Sequence, residues 1–159
     1  MNAAFTLGRI ALVVFFIVSG AQKLTDIPGT ADQIQSKLVI PAALADFSSQ
    51  IEATVGMPIW QVLAIVFAVI EVLGGLLIAF NVFTRTVAVV LLIYTAATTF
   101  YVYDFWDMAA GPDRTNSLIH ALKNLSIMGA FLMLAAWPRR PAAETAVPDR
   151  VAHERMEPM

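Results

Sequence analysis

Polar positions in this chain fall in clusters, and between them apolar residues run on for longer than a soluble helix requires. One run extends from Phe5 to Leu24, a second from Ile59 to Phe80, a third from Thr86 to Phe100–Tyr103 and a fourth from Leu118 to Trp137. Each matches the roughly 20 helical residues that cross a hydrocarbon core of about 30 Å. Unpaired backbone is too costly in lipid, so the pattern predicts α-helices. Only Asn81-Val82-Phe83-Thr84-Arg85 separates the second run from the third, which makes those two a tight antiparallel hairpin. The fold class expected is all-α: a four-transmembrane-helix antiparallel bundle.

The segment Thr25 to Pro58 is long for a loop in such a bundle. Thr30 is predicted to cap a short helix through Leu38, and Pro41 to begin a second one. Ile34, Leu38, Ala42 and Ala45 recur at helical spacing, so short interfacial helices should lie along the membrane surface. Two readings stand side by side: a connecting loop with incidental helix, or a lid over a cavity. The first apolar run also has features of a signal peptide, with Arg9 before an apolar core and small residues at Ser19 and Ala21. Its length favours a span, and removing it would strip polar groups on the other helices of their partners.

Composition agrees with the pattern. The 159 residues are 58% hydrophobic and 14% charged, with no cysteine and a formal net charge of −2; soluble domains carry roughly 25% charged residues. The length suits one domain. No basic surface is available for nucleic acid. Without cysteine there are no disulfides, thiolate metal sites or CxxC redox pairs. A four-helix domain over 1–140 is expected, followed by a disordered tail over 141–159, rich in Pro, Ala and charge and holding His153. Arg85, Arg139, Arg140, Arg150 and Arg155 fall on one side of the membrane, with Arg9 at its edge. Lys23, Lys37, Arg114 and Lys123 fall on the other, diluted by acidic residues. The excess of cations places both termini in the cytoplasm and the Thr25–Pro58 loop outside. Trp60 and Trp106 then mark the outer interface and Trp137 the inner one.

Ionisable residues within spans are costly and mark partners or function. Glu71 is the only acidic residue in any span. It shares a face of the second helix with Ala64, Ala68, Gly75 and Ala79, a stripe on which helix backbones can approach closely. Arg9, Val13, Phe16, Gly20 and Lys23 share a face of the first helix. Asn116, His120, Lys123 and Asn124 share one on the fourth. Arg9, Lys23 and Glu71 are therefore ion-pair candidates, with Arg9 and Lys123 nearest Glu71 in depth and favoured as its partner. Glu71, His120, Lys123 and Asn124 are candidates for ligand binding or proton exchange, and Gly20, Gly74 and Gly75 for helix packing. Arg9 and Lys23 also lie near enough to the helix ends to snorkel into headgroups. One buried histidine gives no bis-histidine haem site, and no metal site or catalytic residue is identified.

With those residues in place, the chain resembles the DoxX family of small bacterial four-helix membrane proteins. The matching segments are Gly8-Arg9 and Ser19-Gly20-Ala21-Gln22-Lys23-Leu24 on the first helix, and Glu71-Val72-Leu73-Gly74-Gly75-Leu76 on the second. Phe105-Trp106-Asp107 and Lys123-Asn124-Leu125 complete the set. The resemblance covers about Leu7 to Trp137. It implies a multi-pass protein of the bacterial cytoplasmic membrane associated with oxidoreductase systems, in some relatives with thiosulfate oxidation coupled to quinone reduction. Three functions remain open: a quinone-linked subunit, an accessory subunit that docks a larger membrane complex or forms a homo-oligomer, and a small transporter. A quinone would be met by His120, Lys123 and Glu71, with Tyr94 or Phe16 packing its ring. The absence of cysteine argues against a thiol relay through this chain.

Overall fold

The computed structural model describes residues 3–137. Four long helices form the bundle: α1 (Ala3–Thr25), α4 (Ile59–Ala79), α5 (Thr84–Val102) and α6 (Pro112–Ala136). All four are long and apolar enough to cross a membrane. Two short helices, α2 (Ile27–Lys37) and α3 (Ala45–Val55), fill the loop after α1, and a 3-10 turn over Ala42–Leu44 leads into α3. No strand occurs among the described residues. The expected disordered tail, His153 and the arginines after Trp137 lie outside the described residues.

Element boundaries depart from the apolar pattern where hydrogen bonding, not burial, decides. α6 begins at Pro112 instead of Leu118, because a proline in the first turn sacrifices no hydrogen bond and the polar turn Asp113–Ser117 can project into water. Asp26, not Thr30, caps α2: its side chain accepts from the Gly29 N–H at 3.0 Å. Thr30 is buried one turn further on and donates its hydroxyl to the Asp26 carbonyl at 2.8 Å. Pro41 precedes the 3-10 turn, and α3 stops at Gly56, whose φ of 73° suits a residue without Cβ. Glu52 then reaches from α3 to accept the Ile59 N–H at 2.7 Å, placing a carboxylate at the N-terminus of α4.

The helices pack in the order α1, α4, α5, α6, with α2 laid across α4. Small residues set the closest approaches. A Cβ on Gly20 would sit 2.7 Å from the Ala68 carbonyl oxygen and 2.9 Å from Glu71 Cβ; one on Gly75 would sit 2.7 Å from Ile17 Cγ1. Gly74 faces the next helix instead, 3.0 Å from Leu91 Cδ2. α1 and α6 meet less closely, through the ring pairs Phe16–Phe131 (5.3 Å between centroids) and Phe5–Trp137 (4.4 Å). The apolar core of Val13, Phe16, Ile78, Ala88, Leu91, Phe131 and Leu134 occupies the half of the bundle nearer the α4–α5 hairpin. The other half is left open, and α2 lies over it.

Candidate functional site: a polar network on the wall of an intramembrane chamber

That open half is a chamber of about 280 Å³ between α1, α4, α5 and α6, bounded on the loop side by Thr30, Gln33, Ile34 and Lys37 of α2 and by Leu38 just after it. Its inner wall is aromatic, with Phe15 and Phe16 from α1, Phe67 from α4 and Tyr94 from α5. The Tyr94 ring meets Phe67 edge-on at 5.7 Å, the arrangement favoured by the ring quadrupole.

One polar network interrupts this wall. Lys23 Nζ donates to both carboxylate oxygens of Glu71, at 2.9 Å to Oε1 and 2.7 Å to Oε2, and to Ser19 Oγ at 2.6 Å. The Tyr94 hydroxyl donates to Glu71 Oε1. Ser19 and Lys23 are one helical turn apart on α1, so the hydroxyl holds the ammonium at the height of Glu71. The Glu71 side chain is 6% exposed, while Lys23 keeps 26% of its side chain open toward the chamber. The carboxylate is thus a nearly buried part of the chamber wall, held by two donors that also line the cavity. In a site of low dielectric such a charge-assisted cluster holds its geometry firmly.

The Lys23–Glu71 pair corrects the expectation that Arg9 or Lys123 would meet Glu71. Arg9 is taken up at the opposite end of the bundle, where its guanidinium donates to the Ala79 carbonyl at 3.2 Å and to Asn81 Oδ1. It closes the C-terminus of α4, where orphan carbonyls favour a cation. Lys123 is exposed. Its neighbour Asn124, about 100° around the helix, points inward, lines the chamber and donates to Thr99 Oγ1 at 2.8 Å. His120 does not line the chamber; it stacks flat on Tyr103, with centroids 5.0 Å apart and planes 5° from parallel. Of the residues expected to serve a ligand, Glu71 and Asn124 reach the chamber and His120 stands behind its rim. Phe16 and Tyr94 line it as rings.

The rim carries a second ion pair. Lys37, at the end of α2, bonds Asp104 Oδ1 at 3.2 Å and so ties α2 to the segment after α5. Burial, reinforced by the Glu71 carboxylate, raises the Tyr103 phenol above its ordinary pKa, so at neutral pH it remains an uncharged hydrogen-bonding group. Arg114 donates to the Phe105 carbonyl at 3.1 Å and fixes the same segment to α6. The roles of Ser19, of the Tyr94 hydroxyl and of the Lys37–Asp104 pair were not assigned from sequence. The one sequence signal was the turn-spaced Ser19 and Lys23 on a buried helix face. Among the described residues, no group of three or more His, Asp or Glu is placed to hold a metal ion.

The comparison with known proteins bears on the same segments. The DoxX family model matches residues 4–104, which include all of α1 but its first residue, and Lys23, Glu71 and Tyr94. The inner membrane protein YphA of Escherichia coli (strain K12) is 35% identical over 132 residues, 81% of this chain and 79% of the relative. No solved structure matches the chain significantly. By the family match over most of its bundle, its four apolar helices and its inner-membrane relative, the chain belongs to the DoxX family and is a multi-pass inner-membrane protein.

Proposed function

We propose that this protein is the membrane-embedded, quinone-binding subunit of an oxidoreductase system, with the chamber as its binding site. The observation that carries the reading is the placement of two donors, Lys23 Nζ and the Tyr94 hydroxyl, on one carboxylate at an aromatic wall within the bundle. A largely apolar cavity with a few convergent polar groups is the usual form of a small-molecule site. A quinone supplies a flat ring that packs against Phe16 and Tyr94 and carbonyl oxygens that accept from an ammonium or a phenol. Bound there, it would carry electrons taken from a partner protein. Lys23 and Tyr94 would orient the ring, and Glu71 would hold the proton balance of the wall. By the distribution of Lys and Arg, the termini and the α4–α5 hairpin face the cytoplasm and the chamber opens outward.

One observation favours a second reading, a non-catalytic accessory subunit. Lys23, Ser19, Glu71 and Tyr94 satisfy one another, and a closed network of this kind can be purely architectural. Titration of the delipidated protein with short-chain ubiquinone and menaquinone analogues separates the two. Saturable one-to-one binding that is lost in Ala97→Phe, which fills the chamber, supports the quinone site. Absence of binding to a folded, monodisperse protein leaves the accessory reading.

A further inference from the structure

Arg9 presents a separate problem at the opposite end of the bundle. It is 5% exposed, and its Nε is buried with no hydrogen-bond partner. Its guanidinium bonds only Asn81 and the Ala79 carbonyl and pairs with no carboxylate among the described residues. A buried cation whose charge is met only by neutral acceptors is expensive in a membrane. Beside it, between α1 and α6, a groove of about 330 Å³ runs over Phe5, Leu12, Ala130, Met133 and Leu134, and Arg9 forms part of its lining. The groove exists because aromatic side chains, not close backbones, bridge those two helices.

We propose that this groove binds an anionic phospholipid, with its phosphate at Arg9 and one acyl chain along the apolar walls. Three features select that occupant. Arg9 lies at the level where α4 ends, because it reaches Ala79, and Trp137 packs against Phe5 at the same end; tryptophan belongs at the headgroup boundary. The groove walls beyond Arg9 are hydrocarbon, which suits an acyl chain and gives a free inorganic anion nothing to bind. The charge is also complementary: Arg85 lies in the first turn of α5 at this end. A phosphate oxygen would neutralise the guanidinium by a charge-assisted hydrogen bond. The lipid would also hold α1 to α6, which otherwise meet through the ring pairs Phe5–Trp137 and Phe16–Phe131.

The test uses the full chain, delipidated in a mild neutral detergent, with thermal stability and native mass spectra recorded as dioleoyl-phosphatidylglycerol or dioleoyl-phosphatidylcholine is added. Retention of one phosphatidylglycerol per chain, with a melting-temperature gain several degrees larger than that from phosphatidylcholine, is expected. Arg9→Gln should lose the retained lipid. Because that variant can also fail to fold, Ala130→Phe provides the independent arm: it fills the groove, leaves the bonds of Arg9 to α4 in place and should fold without retaining phosphatidylglycerol. Equal response to the two lipids overturns the proposal, as does undiminished retention by Ala130→Phe. Equal protection by inorganic phosphate alone would also overturn it, by showing a simple anion site with no part for the acyl chain.

Discussion

Lys23 Nζ stands 2.7 Å from Glu71 Oε2 and 2.9 Å from Oε1, so one ammonium on α1 spans both oxygens of the only carboxylate within the four long apolar stretches. The pair lies beside a close backbone approach of α1 to α4, where Gly20 admits Ala68 and Glu71 without a Cβ between them. Charge and close packing therefore reinforce each other. The seam brings the ammonium within reach, and the ion pair fixes the register of the seam.

The two halves of that pair should not be equally costly to lose. Glu71 is nearly sealed, whereas Lys23 keeps contact with the chamber. Lys23→Met leaves a buried carboxylate with Tyr94 as its only donor, a loss expected to approach the roughly 3–5 kcal/mol seen when a buried pair is broken in soluble proteins. The membrane reference state can soften that figure. Glu71→Gln leaves an ammonium that can still reach water and should cost less. The double variant Lys23→Met with Glu71→Leu should recover part of the loss. Denaturation midpoints of the three in one detergent decide the matter; equal losses in both singles and strict additivity in the double contradict the assignment.

Glycine substitutions distinguish the seam from the lipid-facing surface. Gly20→Ala places a methyl against the Ala68 carbonyl, which cannot move without moving α4, and a penalty of about 1–3 kcal/mol is expected from overpacking. Gly8 has nothing within 4 Å of its added Cβ. Gly8→Ala should be neutral or stabilising by up to about 1 kcal/mol, through helix propensity alone. Thermal melts of the two variants should shift in opposite directions or differ clearly in size.

The positions of the helices were legible in the sequence because the bilayer dictates them: a run of about 20 apolar residues has few alternatives. The buried face of α1 was legible as well, since Arg9, Val13, Phe16 and Gly20 repeat at helical spacing and all four are buried. The partner of Glu71 was not. Depth along the helix axis favoured Arg9 and Lys123, but pairing depends on rotation and on competing acceptors. The carbonyl end of α4 takes Arg9, and α6 is turned so that Asn124 faces inward and Lys123 outward. Successive residues lie about 100° apart on a helix, so the rotation of α6 decides which of the two turns inward. The chamber itself was legible only as one of two readings of the long loop, because nothing local states that α2 folds over α4 instead of away from it.

The turn between α4 and α5 contains two residues with left-handed backbone, Asn81 (φ 62°) and Phe83 (φ 48°). Asn81 tolerates this conformation and accepts from both Arg9 and Thr84. Asn81→Gly should keep the backbone and lose the side-chain bonds, whereas Asn81→Ala loses both. Alanine is expected to be the more destabilising by about 1 kcal/mol, read from denaturation midpoints.

Restraining α2 tests its place over the chamber. The Lys37–Asp104 bridge is partly exposed and should contribute only about 0.2–1 kcal/mol to stability. Its removal should therefore leave the fold intact. With cysteines at both positions in this cysteine-free chain, a short bismaleimide should join them and slow entry and release of a chamber ligand. Unchanged exchange rates in the cross-linked protein would show that α2 is no barrier.

Sidedness can be read in the same background. Single cysteines at Ser49, on α3, and at Val82, in the α4–α5 turn, lie at opposite ends of the bundle and are both exposed. In intact cells an impermeant maleimide should label the first and not the second. The reverse pattern overturns the proposed orientation.

The most direct test of the proposed function is native mass spectrometry of the protein released from its own membrane in a mild detergent, with solvent extraction of the same sample. Close to one quinone per chain is expected in the unaltered protein, lost in Ala97→Phe and reduced in Tyr94→Phe, while both variants stay folded. A folded protein that carries no quinone, or carries as much after Ala97→Phe fills the chamber, would contradict it.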